Sequence, residues 1–264
     1  MDHCGSNGFC LAHSNPESYA KQYQSAEPFP HIVIDNFLPN EAAIALREHF
    51  PEPTPEWYSY SNVLEIKRAT DKADLMGFMH SGILNTLNSQ LMIDFLEKMT
   101  GIKGLIPDPW FRGGGLHYIK KGGKLDIHAD FNWHQHLQLH RRLNVLIYLN
   151  DEVWESEWGG QLELWDKDMK NCVKKIDPIF NRMVCFSTTD WSFHGHPEPL
   201  ASPNPRRSMA LYYYSATRPE HEITPSHSTL FRARPNDEET EEIKKLRELR
   251  NKGRLSSNWD ESVR

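Results

Sequence analysis

The segment KLDIHADF contains the pair of residues with the clearest chemical potential, His128 and Asp130. In a β-strand, side chains at positions i and i+2 share one face, so the imidazole and the carboxylate would point the same way. Two histidines and one carboxylate on one side of an Fe(II) ion leave three coordination positions open, as oxygenase chemistry requires. Taken alone the pair is weak evidence, because a histidine and an aspartate at this spacing also occur by chance on solvated surfaces.

Residues further along the chain could complete such a site. FHGHPEPL offers His194 and His196 as a third ligand, and Arg206 and Arg207 follow just before a β-type run. The planar guanidinium of arginine forms a bidentate pair with a carboxylate, so an arginine here could bind a dicarboxylate. A solvated turn is the alternative interpretation of the arginine pair.

A second group of histidines lies in FNWHQHLQLHRR, namely His134, His136 and His140. A second metal site is one interpretation of this group. The sequence favours the other, in which the three residues lie on the loop after the His128 strand, either solvated or in contact with substrate.

The elements that must position these residues are mostly short strands. Residues 110–216 contain seven β-type runs separated by turn residues, which predicts an antiparallel sandwich or barrel. Before them, a short strand is predicted around Ile32 and helices over 42–50 and 83–99, the latter stopped by Gly101. The runs are GLHYIKK, KLDIHAD, LNVLIYLN, GGQLELWD, KKIDP, RMVCFST and RRSMALYYYS.

Composition sets the limits of the interpretation. The chain has 264 residues, of which 38% are hydrophobic and 11% aromatic, so it can build a substantial core. The net charge of −6 gives no electrostatic reason to expect nucleic acid or an anionic membrane as the main partner. Because the N-terminus is polar and no apolar run is long enough for a membrane span, we expect a soluble, cytoplasmic protein. We expect a flexible arm over 1–27, one domain over 28–235, and a charged tail over 236–264 that is helical in part.

Residues 28–216 resemble the 2-oxoglutarate/Fe(II)-dependent dioxygenases, specifically the prolyl-4-hydroxylase-like branch. The matching pattern is HxD, a long gap, and then H followed about a dozen residues later by R and a β run. Tyr118 matches a tyrosine ten residues before the HxD histidine, Tyr148 matches the tyrosine of IYLN, and GGQLELWD matches a GG-x-L-x-L segment. The resemblance implies a mainly β domain with flanking helices (α+β), whose core at about 110–216 is a jelly-roll or cupin-like double-stranded β-helix.

The resemblance also implies roles for individual residues. His128, Asp130 and His194 would bind iron; His194 is preferred to His196 because the family pattern reads H-x-V ahead of a proline, which puts His196 at the valine position. Tyr118 would lie beside the cosubstrate, and Tyr148 would help to hold its distal carboxylate.

For the arginine that binds the cosubstrate we choose Arg207. Along RSMALYYY, Arg207, Met209 and Leu211 share one face of the strand, and the family arginine stands directly before the corresponding run. Arg206 would then be its outward neighbour.

The chemistry implied by the resemblance uses Fe(II), 2-oxoglutarate and O₂, with ascorbate as a candidate reductant. Oxidative decarboxylation of 2-oxoglutarate would be coupled to hydroxylation of an unactivated C–H bond in a small-molecule or peptide substrate, with a prolyl or other amino-acid-derived group as the candidate. Asp130 favours hydroxylation, since related halogenases have a small residue in its place. Two alternatives stay open: the same iron centre used for desaturation or epimerisation, and a catalytically silent β-helix binding protein.

Overall fold

The computed structural model describes residues 15–253, and a long, curled antiparallel sheet occupies most of this range. The strands are β1 (His31–Ile34), β2 (Tyr58–Ser61), β3 (Glu65–Thr70), β4 (Ile106–Pro107), β5 (Gly115–Ile119), β6 (Lys124–Ala129), β7 (Trp133–His134), β8 (Leu139–Tyr148), β9 (Leu162–Trp165), β10 (Cys172–Ile176), β11 (Met183–Ser187), β12 (His194–His196), β13 (Arg206–Ser215) and β14 (Leu230–Phe231). The helices are α1 (Glu17–Gln24), α2 (Asn40–Glu48), α3 (Ala73–Leu87), α4 (Gln90–Thr100) and α5 (Glu241–Asn251).

The strands follow the order β1-β11-β8-β13-β5-β3-β6-β12-β9-β10, with β14 paired to β6, β2 to β3, β4 to β13 and β7 to β8. Each of the seven runs predicted from the sequence overlaps one of these strands. The sheet curls into a double-stranded β-helix, so the predicted fold class is confirmed.

Strict alternation along β8 and β13 gives the sheet two different faces. On β13, Met209, Leu211 and Tyr213 belong to the apolar core formed with the helices. On the other face of the same strand, Ser208 and Tyr212 line a cavity inside the curl of the sheet. We call these the outer and the inner face, and the inner face carries the candidate site.

The helix predicted over 83–99 is in fact two helices, α3 and α4. The helical conformation is interrupted at Asn88 and Ser89. The side-chain amide of Asn88 donates to the carbonyl of Asp108 at 2.7 Å, and Ser89 is extended at φ −78° and ψ 166°. Apolar spacing continues across the break, which is why the sequence pattern alone does not reveal it. The predicted stop is present: Gly101 ends α4 in the left-handed conformation at φ +78°.

Helices α1 and α5 lie at the two ends of the described range. Helix α1 lies within the expected arm, yet Tyr23 is buried and its hydroxyl is 2.7 Å from that of Ser187, which ties the helix to β11. Helix α5 lies within the expected tail. Residues 1–14 and 254–264 of the arm and tail lie outside the described range. Within residues 15–253, no helix has the combination of length and apolar character that crossing a bilayer requires.

Candidate active site

His128, Asp130 and His194 converge on one point of the inner face. His128 lies on β6 and Asp130 directly follows that strand, while His194 on β12 pairs with His128 in register. One ligand atom from each residue lies within 4.8 Å of the others. His128 Nε2 is 3.6 Å from one Asp130 carboxylate oxygen, and His194 Nε2 is 3.4 Å from the other. The structure therefore brings the three expected ligands together.

Backbone hydrogen bonds orient both imidazoles. His128 Nδ1 donates to the carbonyl of Asp126 at 2.8 Å, and His194 Nδ1 donates to the carbonyl of Ser192 at 2.8 Å. With Nδ1 occupied in this way, each ring presents Nε2 to the shared point, as metal-binding histidines do. Burial lowers the pKa of His194 to about 4, so its imidazole is neutral and able to bind a metal.

Two side chains, those of Asn144 and Arg141, contact the Asp130 carboxylate. Asn144 Nδ2 donates to one carboxylate oxygen at 2.6 Å, and Arg141 Nη2 lies 3.2 Å from the same oxygen. Burial by itself raises the pKa of this carboxyl, but the Arg141 guanidinium and the nearby imidazoles outweigh it and hold the pKa well below its usual range. Two imidazoles and one ionised carboxylate with convergent ligand atoms fit a 2-His-1-carboxylate site for Fe(II).

His196 lies two residues beyond His194 on β12, past a register shift, and pairs with Leu125. Gly195 permits this close pairing, because a Cβ there would lie 2.8 Å from the carbonyl oxygens of Leu125 and Asp126. His196 also lines the cavity, but it is not part of the group of ligand atoms found in the described range. Its position agrees with the choice of His194 as the ligand.

The two arginines of β13 point in opposite directions, and the structure places Arg206 at the cavity. Arg206 Nε donates to the carbonyl of Gly160 at 2.7 Å, and its Nη2 lies 3.3 Å from the Tyr148 hydroxyl. Arg207 lies on the outer face, where Nη1 donates to the carbonyl of Arg47 at 3.2 Å. The expected role of Arg207 at a cosubstrate does not agree with this position.

Tyr148 and Tyr118, like the two arginines, lie on opposite faces of the sheet. Tyr148 is fully buried next to Arg206, with the guanidinium carbon 4.9 Å from its ring centroid. Tyr118 pairs with Arg207 in register and its hydroxyl donates to both carboxylate oxygens of Glu52, at 2.7 and 2.9 Å. Tyr118 thus lies on the outer face, contrary to the expected position beside the cosubstrate, while its neighbour His117 lines the cavity.

The histidines at 134, 136 and 140 do not form a metal-binding group in the described part of the chain. His134 and Asp108 are both buried, with Nε2 3.2 Å from the carboxylate. Asp108 also accepts hydrogen bonds from two backbone N–H groups of the following loop, so the pair stabilises that loop. The His140 ring lies 4.8 Å from that of Trp133, an ordinary aromatic contact.

The cavity around these residues has a volume of about 740 Å³. One of its walls comes from the C-terminal part of the described chain, namely β14 and the end of α5, which lies in the expected charged tail. Strand β14 pairs with β6, which places the Phe231 ring 5.6 Å from the ring of His128. The side chain of Asn251, at the end of α5, bonds to both backbone groups of Phe231. It accepts from the Phe231 N–H at 2.7 Å and donates to the Phe231 carbonyl at 3.3 Å.

Charged residues attach this wall to the rest of the cavity. Arg250 of α5 forms an ion pair with Glu65 of β3, and Lys67 lies 3.5 Å from the same carboxylate. Neither β3 nor α5 carries a motif that sequence reasoning could connect with His128, because the contacts join segments far apart in the chain. The alternation of Glu65 and Lys67 within a short β-type run is the only local signal.

Comparison with known proteins agrees with this geometry. Residues 114–229 match the family described as the 2OG-Fe(II) oxygenase superfamily. Prolyl 3-hydroxylase OGFOD1 of Mus musculus is 25% identical over 206 residues, which cover 73% of this chain and 34% of that protein. The chain therefore spans about a third of the length of this curated relative.

Solved structures share the fold. A prolyl hydroxylase from Trichoplax adhaerens, in complex with a peptide fragment of the hypoxia inducible factor oxygen degradation domain, has a TM-score of 0.52 at 19% identity, covering 75% of this chain and 89% of that one. A Pseudomonas putida prolyl-4-hydroxylase has a TM-score of 0.50 at 14% identity, covering 76% and 98%. The segment that matches the 2OG-Fe(II) oxygenase superfamily contains His128, Asp130 and His194, and the chain as a whole resembles the prolyl hydroxylases.

Proposed function

We propose that this chain is an Fe(II)- and 2-oxoglutarate-dependent dioxygenase that hydroxylates a C–H bond of a prolyl or other amino-acid-derived group. The observation that carries the proposal is the convergence of His128, Asp130 and His194 on one point, with each side chain oriented by a further hydrogen bond. When bound, iron and 2-oxoglutarate supply the activation of O₂, with succinate and CO₂ as products. Ascorbate is a candidate reductant for keeping the iron in the Fe(II) state.

The residues around the three ligands would fix the geometry of the metal. Arg141 and Asn144 keep Asp130 ionised and in one orientation, and the backbone carbonyls fix both histidine tautomers. Aromatic rings cover the imidazoles, with Phe186 4.6 Å from His194 and Phe231 5.6 Å from His128. These rings exclude water from the ligand side of the site, which strengthens the electrostatic interactions there.

Arg206 and Tyr148 are our candidates for the distal carboxylate of 2-oxoglutarate, so Tyr148 keeps the role that the resemblance implies and Arg206 replaces Arg207. Arg206 lines the same cavity as the iron ligands, and its Nε and Nη2 are already held by Gly160 and Tyr148. With the guanidinium fixed in this way, its remaining amino group, Nη1, would be available to an incoming anion.

A substrate group can enter the same cavity, because about 740 Å³ exceeds what a five-carbon dicarboxylate fills. A prolyl group is the first candidate substrate, because the similar proteins are prolyl hydroxylases. We therefore propose a peptide or amino-acid-derived substrate for this chain.

The test is a succinate-release assay with Fe(II) and 2-oxoglutarate across proline-containing peptides and free amino acids, with mass analysis of the products. Gain of one oxygen atom supports hydroxylation, loss of two hydrogens would assign desaturation, and unchanged mass with inverted chirality would assign epimerisation. Asp130→Ala should abolish succinate release, whereas His49→Ala, at an exposed histidine outside the cavity, should retain it. Full activity of Asp130→Ala would contradict the proposal, and absence of both Fe(II) binding and succinate formation in the wild type would favour a silent binding protein.

A further inference from the structure

The deep end of the cavity is basic. Lys67 on β3, His196 on β12 and Arg206 on β13 all line it, and we call these three residues the basic floor. The acidic residue at this end is Glu65, which is already shared between Lys67 at 3.5 Å and Arg250. A cavity end with this balance of charge is complementary to an anion.

The basic floor lies at a defined distance from the iron ligands. His194 pairs with His128, and His196, two residues further along β12, pairs with Leu125. Because β12 is irregular between these two histidines, two residues span no more than about 6.6 Å. A dicarboxylate held at its keto-acid end by the metal would span this distance and bring its distal carboxylate to the basic floor.

His196 is the member of the floor with unused hydrogen-bonding capacity. The residue is 4% exposed, and no hydrogen bond within residues 15–253 uses either ring nitrogen. Its Nδ1 is enclosed without a partner and out of reach of a ligand, which leaves Nε2 as the N–H that can donate into the cavity. An imidazole always carries at least one N–H donor, and a buried donor without an acceptor is uncommon in folded proteins. His117 differs, since its Nε2 faces the carbonyl of Gly113 at 3.3 Å.

We propose that His196 donates an N–H hydrogen bond to the distal carboxylate of 2-oxoglutarate beside Arg206, and so makes the enzyme selective for a dicarboxylate cosubstrate. This rests on the proposed function. It also explains why histidine stands two residues after the second histidine ligand, where the family resemblance implies valine. Valine would leave the carboxylate with the arginine and tyrosine alone.

The experiment compares two ligands that differ only in the distal group. The anaerobic Fe(II) protein is titrated with 2-oxoglutarate and with 2-oxopentanoate, which has a methyl group where 2-oxoglutarate has its distal carboxylate. Formation of the chelate is followed by its visible charge-transfer absorption, which requires no turnover. The proteins are the wild type, His196→Val and His196→Asn, each with its metal content and thermal unfolding measured in parallel.

We expect His196→Val to weaken 2-oxoglutarate binding by about tenfold, because one hydrogen bond to a charged group is lost. Binding of 2-oxopentanoate should be unchanged, since it lacks the acceptor, and His196→Asn should restore part of the loss through its amide N–H. Equal weakening of both ligands, or no change in either, would overturn the proposal. If the wild type itself forms no chelate with 2-oxoglutarate, the proposed function fails first and this inference fails with it.

Discussion

The two faces of β13 place neighbouring residues in opposite surroundings. On the inner face, Arg206 and Ser208 line the cavity that holds the iron ligands. On the outer face, Met209 and Leu211 pack into the core beneath the helices, and Arg207 reaches the end of α2. Because side chains alternate strictly along a strand, a single residue step moves an arginine from one environment to the other.

The faces also differ in what they contribute to the protein. The outer face buries apolar surface, which is the main source of folding free energy. The inner face buries polar and charged groups that need partners to be tolerated, such as Arg206 with Gly160 and Tyr148. The comparison predicts that outer-face substitutions lower the free energy of unfolding and leave ligand binding intact. Inner-face substitutions should weaken ligand binding and change the free energy of unfolding less.

Leu211→Ala should give the largest effect. Leu211 is 1% exposed in the core, so truncation leaves a cavity and should lower the free energy of unfolding by about 2–5 kcal/mol. Chemical denaturation measures the loss, and Leu91→Ala on the exposed side of α4 is the matched control. At a temperature where the variant is folded, its 2-oxoglutarate affinity should equal that of the wild type; a parallel loss of affinity would break the division between the faces.

The adjacent arginines provide the most direct contrast. Arg206→Leu should weaken 2-oxoglutarate binding about 100-fold, or about 2.8 kcal/mol, because a charged donor at the distal carboxylate is lost. Arg207→Leu should change the affinity by less than about twofold, since its guanidinium lies on the other side of the sheet. Titration of the anaerobic Fe(II) protein measures both values. The reverse ranking would return the cosubstrate role to Arg207.

The strands and the His128–Asp130 pair could be predicted from the sequence because both depend on local patterns, whereas the choice of His194 needed the family resemblance. The HxD spacing puts His128 and Asp130 on one face of a single strand whatever the rest of the fold does. The arginine is different: the sequence predicts that Arg207, Met209 and Leu211 share one face, but periodicity does not tell which face turns toward the cavity. That choice depends on where the helices pack, which is a non-local property.

The wall that β14 and α5 contribute to the cavity could not be predicted from the sequence, for the same reason. Helix α5 has a strongly charged sequence, which is typical of a solvated helix, and only its last turn touches the cavity. The contacts of Asn251 with Phe231 and of Arg250 with Glu65 join three segments far apart in the chain. No periodicity within α5 predicts such pairings.

Asn144 extends the comparison to β8, where its side chain lies on the inner face next to Asp130. Asn144→Ala removes the 2.6 Å hydrogen bond that orients the carboxylate and should weaken Fe(II) binding by about tenfold. Competition with a coloured chelator measures the affinity. Asn171→Ala, in an exposed loop, is the control and should bind Fe(II) as the wild type does. Unchanged affinity in Asn144→Ala would mean that Arg141 alone suffices to orient Asp130.

Tyr118→Phe should have the smallest effect on stability and on binding. It tests the expectation from the sequence that Tyr118 lies beside the cosubstrate. Burial, together with the Glu52 carboxylate, raises the pKa of Tyr118 to about 12, so the hydroxyl is a neutral donor at physiological pH. Because Glu52 is exposed and water can replace the lost donor, the free energy of unfolding should fall by only about 0.5–1 kcal/mol. The 2-oxoglutarate affinity should stay within error of the wild-type value. A clear loss of affinity would show that the outer face reaches the cosubstrate after all, and that the two faces of the sheet are coupled through the β5–β13 pair.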